Sequence, residues 1–196
     1  MNADNILENI AAAGLRKCMD KLSKVSAGHW SLADASVSRG ALNEIMLKRR
    51  SAAGGVAVYF KISGGCPFTA MIIFQSGDIE LISKCFLGFA FPRLEEINQA
   101  EELLLSELGN IILNSFVGSL SNALKRSFIP SGPKCLKGEP QFLLEALETV
   151  LDKEQKYSLI SIMLDLQCDR IVTRAEVIGI IPCKLEKEIE KAVGVF

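Results

Sequence analysis

The chain has 196 residues, 49% of them apolar, and a formal net charge of −1. That length and composition suit one compact domain with a substantial core, and the lack of a basic excess argues against a general nucleic-acid binder. No uninterrupted apolar run approaches the roughly 20 residues that span a bilayer; the longest candidates, "FLGFAF" and "VIGIIPC", suit buried strands or helix turns.

The N-terminus, "MNADNILENI", carries acids where a secretory signal carries lysines, so no export and a cytoplasmic location are expected. Six cysteines are scattered without a C-x-x-C pair, and the lone His29 cannot complete a zinc site. Such cysteines read as small buried hydrophobes in a reducing compartment. No metal or cofactor of the chain's own is expected.

Residues 4–24 have helical spacing, with Ile6, Ile10, Leu15, Met19 and Leu22 near one face. "HWSLADASV" predicts a short strand, and "ALNEIMLK" a short helix. "VAVYFKIS" and "PFTAMIIFQ" read as strands joined by the turn signal "GGCP". "DIELISKCFLG" is a helix with Asp78 as its expected N-cap and Gly88 as its stop. The same order then recurs. A long helix runs from about Leu94 to Arg126, "PSGPKCLKG" supplies an extended segment, and "PQFLLEALETVL" is a helix with Pro in its first turn. Strands "YSLISIMLDL" and "AEVIGIIP" precede a last helix, "KLEKEIEKAVG".

A shift of 106 residues lays Met71-Ile72-Ile73-Phe74 over Val177-Ile178-Gly179-Ile180, Glu80 over Glu186 and Gly88 over Gly194. This faint duplication predicts a single domain over 1–196 made of two related halves, about 1–90 and 91–196. Neither half has strands enough to cover its own helices, so the two sheets must join or pack. Hairpin links make the pairing largely antiparallel. The expected class is α/β of the α+β type, pseudo-twofold, with two long helices packed on the strands.

On the long helix Leu105, Leu108, Ile112, Phe116 and Leu120 share a face that should enter the core. Glu107, Asn110, Asn114, Gly118 and Ser121 follow a second track. Asparagine is a poor helix former because its amide competes with the backbone, so two in successive turns hint at use. A carboxamide both donates and accepts, and can fix a water without titrating; a carboxylate beside it can anchor a cation on a partner. Phosphoryl transfer depends heavily on such positioning. The chain itself has no phosphate loop, since "GLRKC" and "SAAGG" lack the required pattern. Any phosphate must therefore arrive on a partner.

These residues resemble the CheC, CheX and FliY family of bacterial chemotaxis phosphatases, whose motif is Asp/Ser-x3-Glu-x2-Asn-x22-Pro. Glu107, Asn110 and Pro133 match it, with 22 residues between Asn110 and Pro133. The text "SELGNIILNSFVGSLSNAL" is similar to the family's helix, and the duplicated organisation resembles the family over nearly the whole chain. Two departures stand out. Leu103 occupies the Asp/Ser position. The first helix also lacks a complete pair: setting Glu8 on Glu107 places Asp4 at the leading position, but puts Ala11 for the asparagine and Asp34 for the proline. At most one active centre is expected.

The resemblance implies a CheC-like fold and hydrolysis of the aspartyl phosphate on a CheY-like receiver domain. Asn110 would orient the attacking water, Glu107 would pair with a receiver lysine, and Pro133 would shape the turn after the helix. Mg²⁺ would belong to the phosphorylated partner. Asn114 and Ser121 are candidate partner-docking residues, or they face a twin helix. The alternative is a non-catalytic binding module of the same fold for a receiver, a CheD-like enzyme or a flagellar switch component. A homodimer is also compatible with the resemblance; no nucleic-acid or membrane partner is expected. Lys48–Arg50 reads as the solvated end of a short helix, His29-Trp30 as a packing anchor, and "KLEKEIEK" as an exposed helix face.

Overall fold

The computed structural model describes residues 3–41, 54–89, 99–139, 142–143, 145–146, 151, 156–168 and 170–193. Helix α1 (Ala3–Val25) leads to strand β1 (Trp30–Ala41), then the hairpin β2 (Gly55–Gly64) and β3 (Phe68–Gln75), and helix α2 (Ile79–Leu87). Helix α3 (Gln99–Leu124) opens the second half, followed by β4 (Phe128–Pro130), β5 (Lys134–Gly138), the hairpin β6 (Tyr157–Cys168) and β7 (Ile171–Pro182), and helix α4 (Cys183–Val193). The short helix expected around 41–48, with Lys48–Arg50, and the start of the long helix before Gln99 lie outside the described residues. So does most of the helix expected over 140–151.

All seven strands form one antiparallel sheet in the order β1-β6-β7-β3-β2-β4, with β5 also alongside β2. The halves therefore join edge to edge rather than packing as two sheets. They also exchange strands. β1 pairs with the second half's β6, while β4 and β5 pair with the first half's β2. At the seam Met71 opposes Ile178 and Ile72 opposes Val177. The 106-residue shift turns one of these pairs into the other, which puts a pseudo-twofold axis between β3 and β7.

Strand alternation sorts side chains to two faces. Val56, Val58, Phe60 and Ile62 of β2 join α1, α2, α3 and α4 in the large core. Ala57 and Tyr59 join Met71, Ile73, Ile178 and Ile180 in a smaller core on the far side. Strands covered on both faces read as continuous apolar runs, and every residue from Phe68 to Phe74 is buried.

Local signals gave mixed outcomes. Gly88 ends α2 in the left-handed region, at φ 84°, where a glycine carries no Cβ penalty. Asp78 precedes α2 but makes no capping bond; its carboxylate instead accepts the Arg174 backbone N–H at 2.8 Å, tying α2 to β7. Trp30 is buried, with its indole N–H donating to Ser26 Oγ at 2.8 Å and its backbone N–H to Ser23 Oγ at 2.7 Å. It anchors β1 against the end of α1.

The 26 residues of α3 are long and apolar enough, by composition alone, to cross a membrane. In the structure that apolarity lies against the sheet: Leu105, Leu108, Ile112, Phe116 and Leu120 are all buried. Gly109 sets how closely the helix sits, because a Cβ there would come within 2.7 Å of Val58 Cβ on β2. Gly14 does the same between helices, since a Cβ there would lie 1.7 Å from Ser119 Oγ of α3. The Cys18 thiol donates to the Ile111 carbonyl at 3.6 Å nearby. Since Cys18 meets Ile111 while Gly14 meets Ser115 and Ser119, α1 and α3 run antiparallel.

The Gly109→Ala variant should lower stability by about 1–2 kcal/mol, the overpacking strain outweighing the gain in helix propensity. This corresponds to a Tm about 2–8 °C lower in a calorimetric scan. Combining it with Val58→Ala should give a favourable coupling in the double-mutant cycle; strict additivity would refute the contact.

All six cysteines are free thiols. Cys135 on β5 is pushed up to about 11, chiefly by burial and then by Glu102, with the Ser106 hydrogen bond opposing. Alkylation of Cys135 at pH 8 should be roughly a hundredfold slower than in the unfolded chain, as the thiolate is the reactive form. Peptide mapping by mass spectrometry checks this, and an unfolded-like rate at pH 8 would contradict it.

Candidate functional site

The polar track of α3 emerges from the helix's own geometry. With Leu108 and Ile112 turned into the core, residues one turn apart on the adjoining face are left outside. Glu107 and Asn114 are exposed and Asn110 is half-buried. On a helix, positions three apart have Cβ atoms about 5–6 Å from each other, so a single partner can touch Glu107 and Asn110 together. Glu107 makes no ion pair with another described residue.

The antiparallel crossing of α1 and α3 leaves a groove of about 690 Å³ beside this track. Asn110, Asn114, Gly118 and Asn122 line it from α3, and Gly14, Lys17 and Lys21 from α1. Small residues at Gly14, Ser115 and Ser119 keep its floor low. Lys17 and Lys21 are exposed, one helical turn apart, and make this groove cationic. Residue type alone did not single them out; their i, i+4 spacing and Gly14 were the available signals. Glu107 lies outside the groove lining, so the stripe divides: the amides face α1 and the carboxylate faces open solvent.

The Asn114 side-chain amide donates to Asn110 Oδ1 at 2.8 Å. Neither asparagine therefore presents a wholly unengaged amide. Ser121, expected as a docking residue, acts locally: its hydroxyl donates to the Arg126 carbonyl, and the Arg126 N–H donates back to the Ser121 carbonyl at 3.0 Å. Lys125, at φ 52°, completes this helix stop. Arg126 also pairs with Glu188 of α4 at 3.2 Å, so that part of the "KLEKEIEK" face is engaged. Pro133 is exposed and lies between β4 and β5, not in the turn after the helix. It immediately precedes Lys134, which opposes Tyr59 of β2.

Leu103, at the motif's leading position, is 72% exposed. It borders a surface depression with Gln99, Ala100, Glu102 and Ser106. In the first half Ala11 is buried, so no side chain at that position could reach a partner; the side chains of Asp4 and Glu8 lie outside the described residues. Among the described residues no cluster of three or more His, Cys, Asp or Glu is placed to hold a metal.

No protein-family model and no curated protein matches the sequence. Solved structures do match. FliY from Thermotoga maritima superposes with a TM-score of 0.72 at 14% identity, over 98% of this chain and 96% of that one. The FliM middle domain from H. pylori gives 0.64 at 12%, over 97% and 97%, and a FliG–FliM complex from the same organism gives 0.61 at 14%, over 95% and 96%. A CheX–CheY–BeF₃–Mg²⁺ complex from Borrelia burgdorferi gives 0.53 at 16%, over 92% and 97%. The chain thus has the α+β fold of CheX and FliY structures that the sequence resemblance implied, a fold that the FliM middle domain also shares.

Proposed function

We propose that this chain is a cytoplasmic phosphatase for the aspartyl phosphate of a CheY-like receiver domain, with one active centre on α3. The observation that carries the reading is the placement of Glu107 and Asn110: one turn apart, reachable from solvent, beside a groove edged by Lys17 and Lys21. The chemistry follows from these groups. A phosphorylated receiver site is anionic, and the two lysines attract it. Glu107 pairs with a receiver cation and sets the register of the two proteins.

Asn110 then enters the partner's site and holds a water in line with the acyl phosphate. The water oxygen bonds to phosphorus as the phosphorus–carboxylate bond breaks; the aspartate leaves as carboxylate, and the water's proton passes to phosphate or bulk solvent. The amide takes no proton, so its contribution is positioning. Mg²⁺, expected on the phosphorylated partner, would offset the phosphoryl charge. The CheX–CheY complex supports this reading by likeness of fold.

A specific observation favours a second reading, a non-catalytic binding module of a flagellar switch. Leu103 exposes an apolar side chain where the motif calls for Asp or Ser, and the FliM middle domain shares the fold. A CheD-like partner and a homodimer belong to this reading as well.

Decay of phosphorylated receivers from the same organism, followed with and without the protein in Mg²⁺, separates the two. Wild-type protein should accelerate decay, and Asn110→Ala should reduce that acceleration on the order of a hundredfold with unchanged circular dichroism. Equal turnover by wild type and Asn110→Ala would remove the mechanism.

A further inference from the structure

Asn110 is half-buried on the groove wall, and its Oδ1 is already engaged by the Asn114 amide at 2.8 Å, one helical turn on. The terminal torsion of an unpartnered asparagine is broad and nearly two-fold, so its oxygen and nitrogen readily exchange places. A donor held on Oδ1 breaks that degeneracy. It leaves one Oδ1 lone pair and both Nδ2 hydrogens for a ligand, in a fixed sense. Asn114 is exposed and its side chain has no role in the core. The Ser119 hydroxyl, on the adjoining track, directs itself elsewhere, donating to the Ser115 carbonyl at 2.8 Å.

We infer that Asn114 is a positioning residue, whose amide N–H locks the Asn110 carboxamide in the orientation that holds the attacking water. This rests on the reading of Asn110 as the water-orienting group. It assigns Asn114 to the chemistry of the site rather than to partner docking. An asparagine four residues after the first is what the lock requires, because i and i+4 side chains meet on one helix face. Aspartate at the same place would invert it. A carboxylate accepts but does not donate, so it would draw Nδ2 toward itself and turn the amide over.

The test compares wild type with Asn114→Ala, Asn114→Asp and Asn110→Ala, using a receiver phosphorylated by acetyl phosphate in Mg²⁺. Asn114→Ala should lower kcat roughly three- to tenfold, the effect of freeing one side-chain rotor, with KM for the receiver unchanged. Asn114→Asp should lower kcat further. A docking role would instead raise KM at constant kcat; that outcome, or wild-type kcat in Asn114→Ala, overturns the inference while Asn110→Ala still shows its roughly hundredfold loss. A side-chain ¹⁵N–¹H spectrum reads the same link without turnover. Asn110→Ala should move the Asn114 amide pair toward free-amide positions, and an unmoved pair also overturns the inference. Absence of turnover in wild type removes the phosphatase reading and with it the water-holding role of the lock, whereas the spectrum separately decides whether Asn114 holds the Asn110 carboxamide.

Discussion

The antiparallel pairing of β3 with β7 is the constraint on which everything else depends. Without it each half is a hairpin whose neighbouring strand comes from elsewhere: β1 lies on β6, and β4 and β5 lie on β2. A lone hairpin is marginal in water, so each half's own two strands beside the seam are too few to hold its long helix without the strands the other half lends. The seam turns two insufficient sheets into one, and its continuity gives α1 and α3 a shared floor. Apolar side chains fill both sides of the seam strands, and slipping the register by one residue would move all of them to the wrong face.

On that floor, two glycines decide how the helices sit. Gly109 brings α3 down onto Val58, and Gly14 brings α1 against Ser115 and Ser119. Glycine inside a helix costs about 1 kcal/mol relative to alanine, so close approach must compensate through better packing. The result is a helix rotated to bury Leu108 and Ile112 while leaving Glu107 and Asn110 at its margin. The site is thus a by-product of core packing, made from the positions the core does not need.

The two long helices present different side chains to their surroundings. α3 presents an acid and paired amides to its surroundings, whereas α1 buries Ala11 and presents Lys17 and Lys21 to the same groove. One half carries the polar pair and the other supplies the opposing charge.

Much of this organisation was legible in the residues. Runs rich in β-branched and aromatic residues marked the strands β2 and β3, apolar runs marked β6 and β7, and helical spacing marked α1 and α3, because side-chain type, hydrophobic period and turn chemistry are local properties. Glu107 and Asn110 stood out by residue type. Other features were out of reach of local reading. Asp78 has the composition of a cap, but a strand distant in sequence offered its carboxylate a better donor. The Ser121 hydroxyl closes the end of α3 on the Arg126 carbonyl, while Pro133 belongs to the entry of β5. The sequence by itself determined which elements form and which face of each is apolar. Only the tertiary structure decided the strand exchange across the seam, the lysine-edged groove and the Asn114–Asn110 bond's place on its wall. Those depend on which apolar faces meet, and that is settled by the packing of the whole chain.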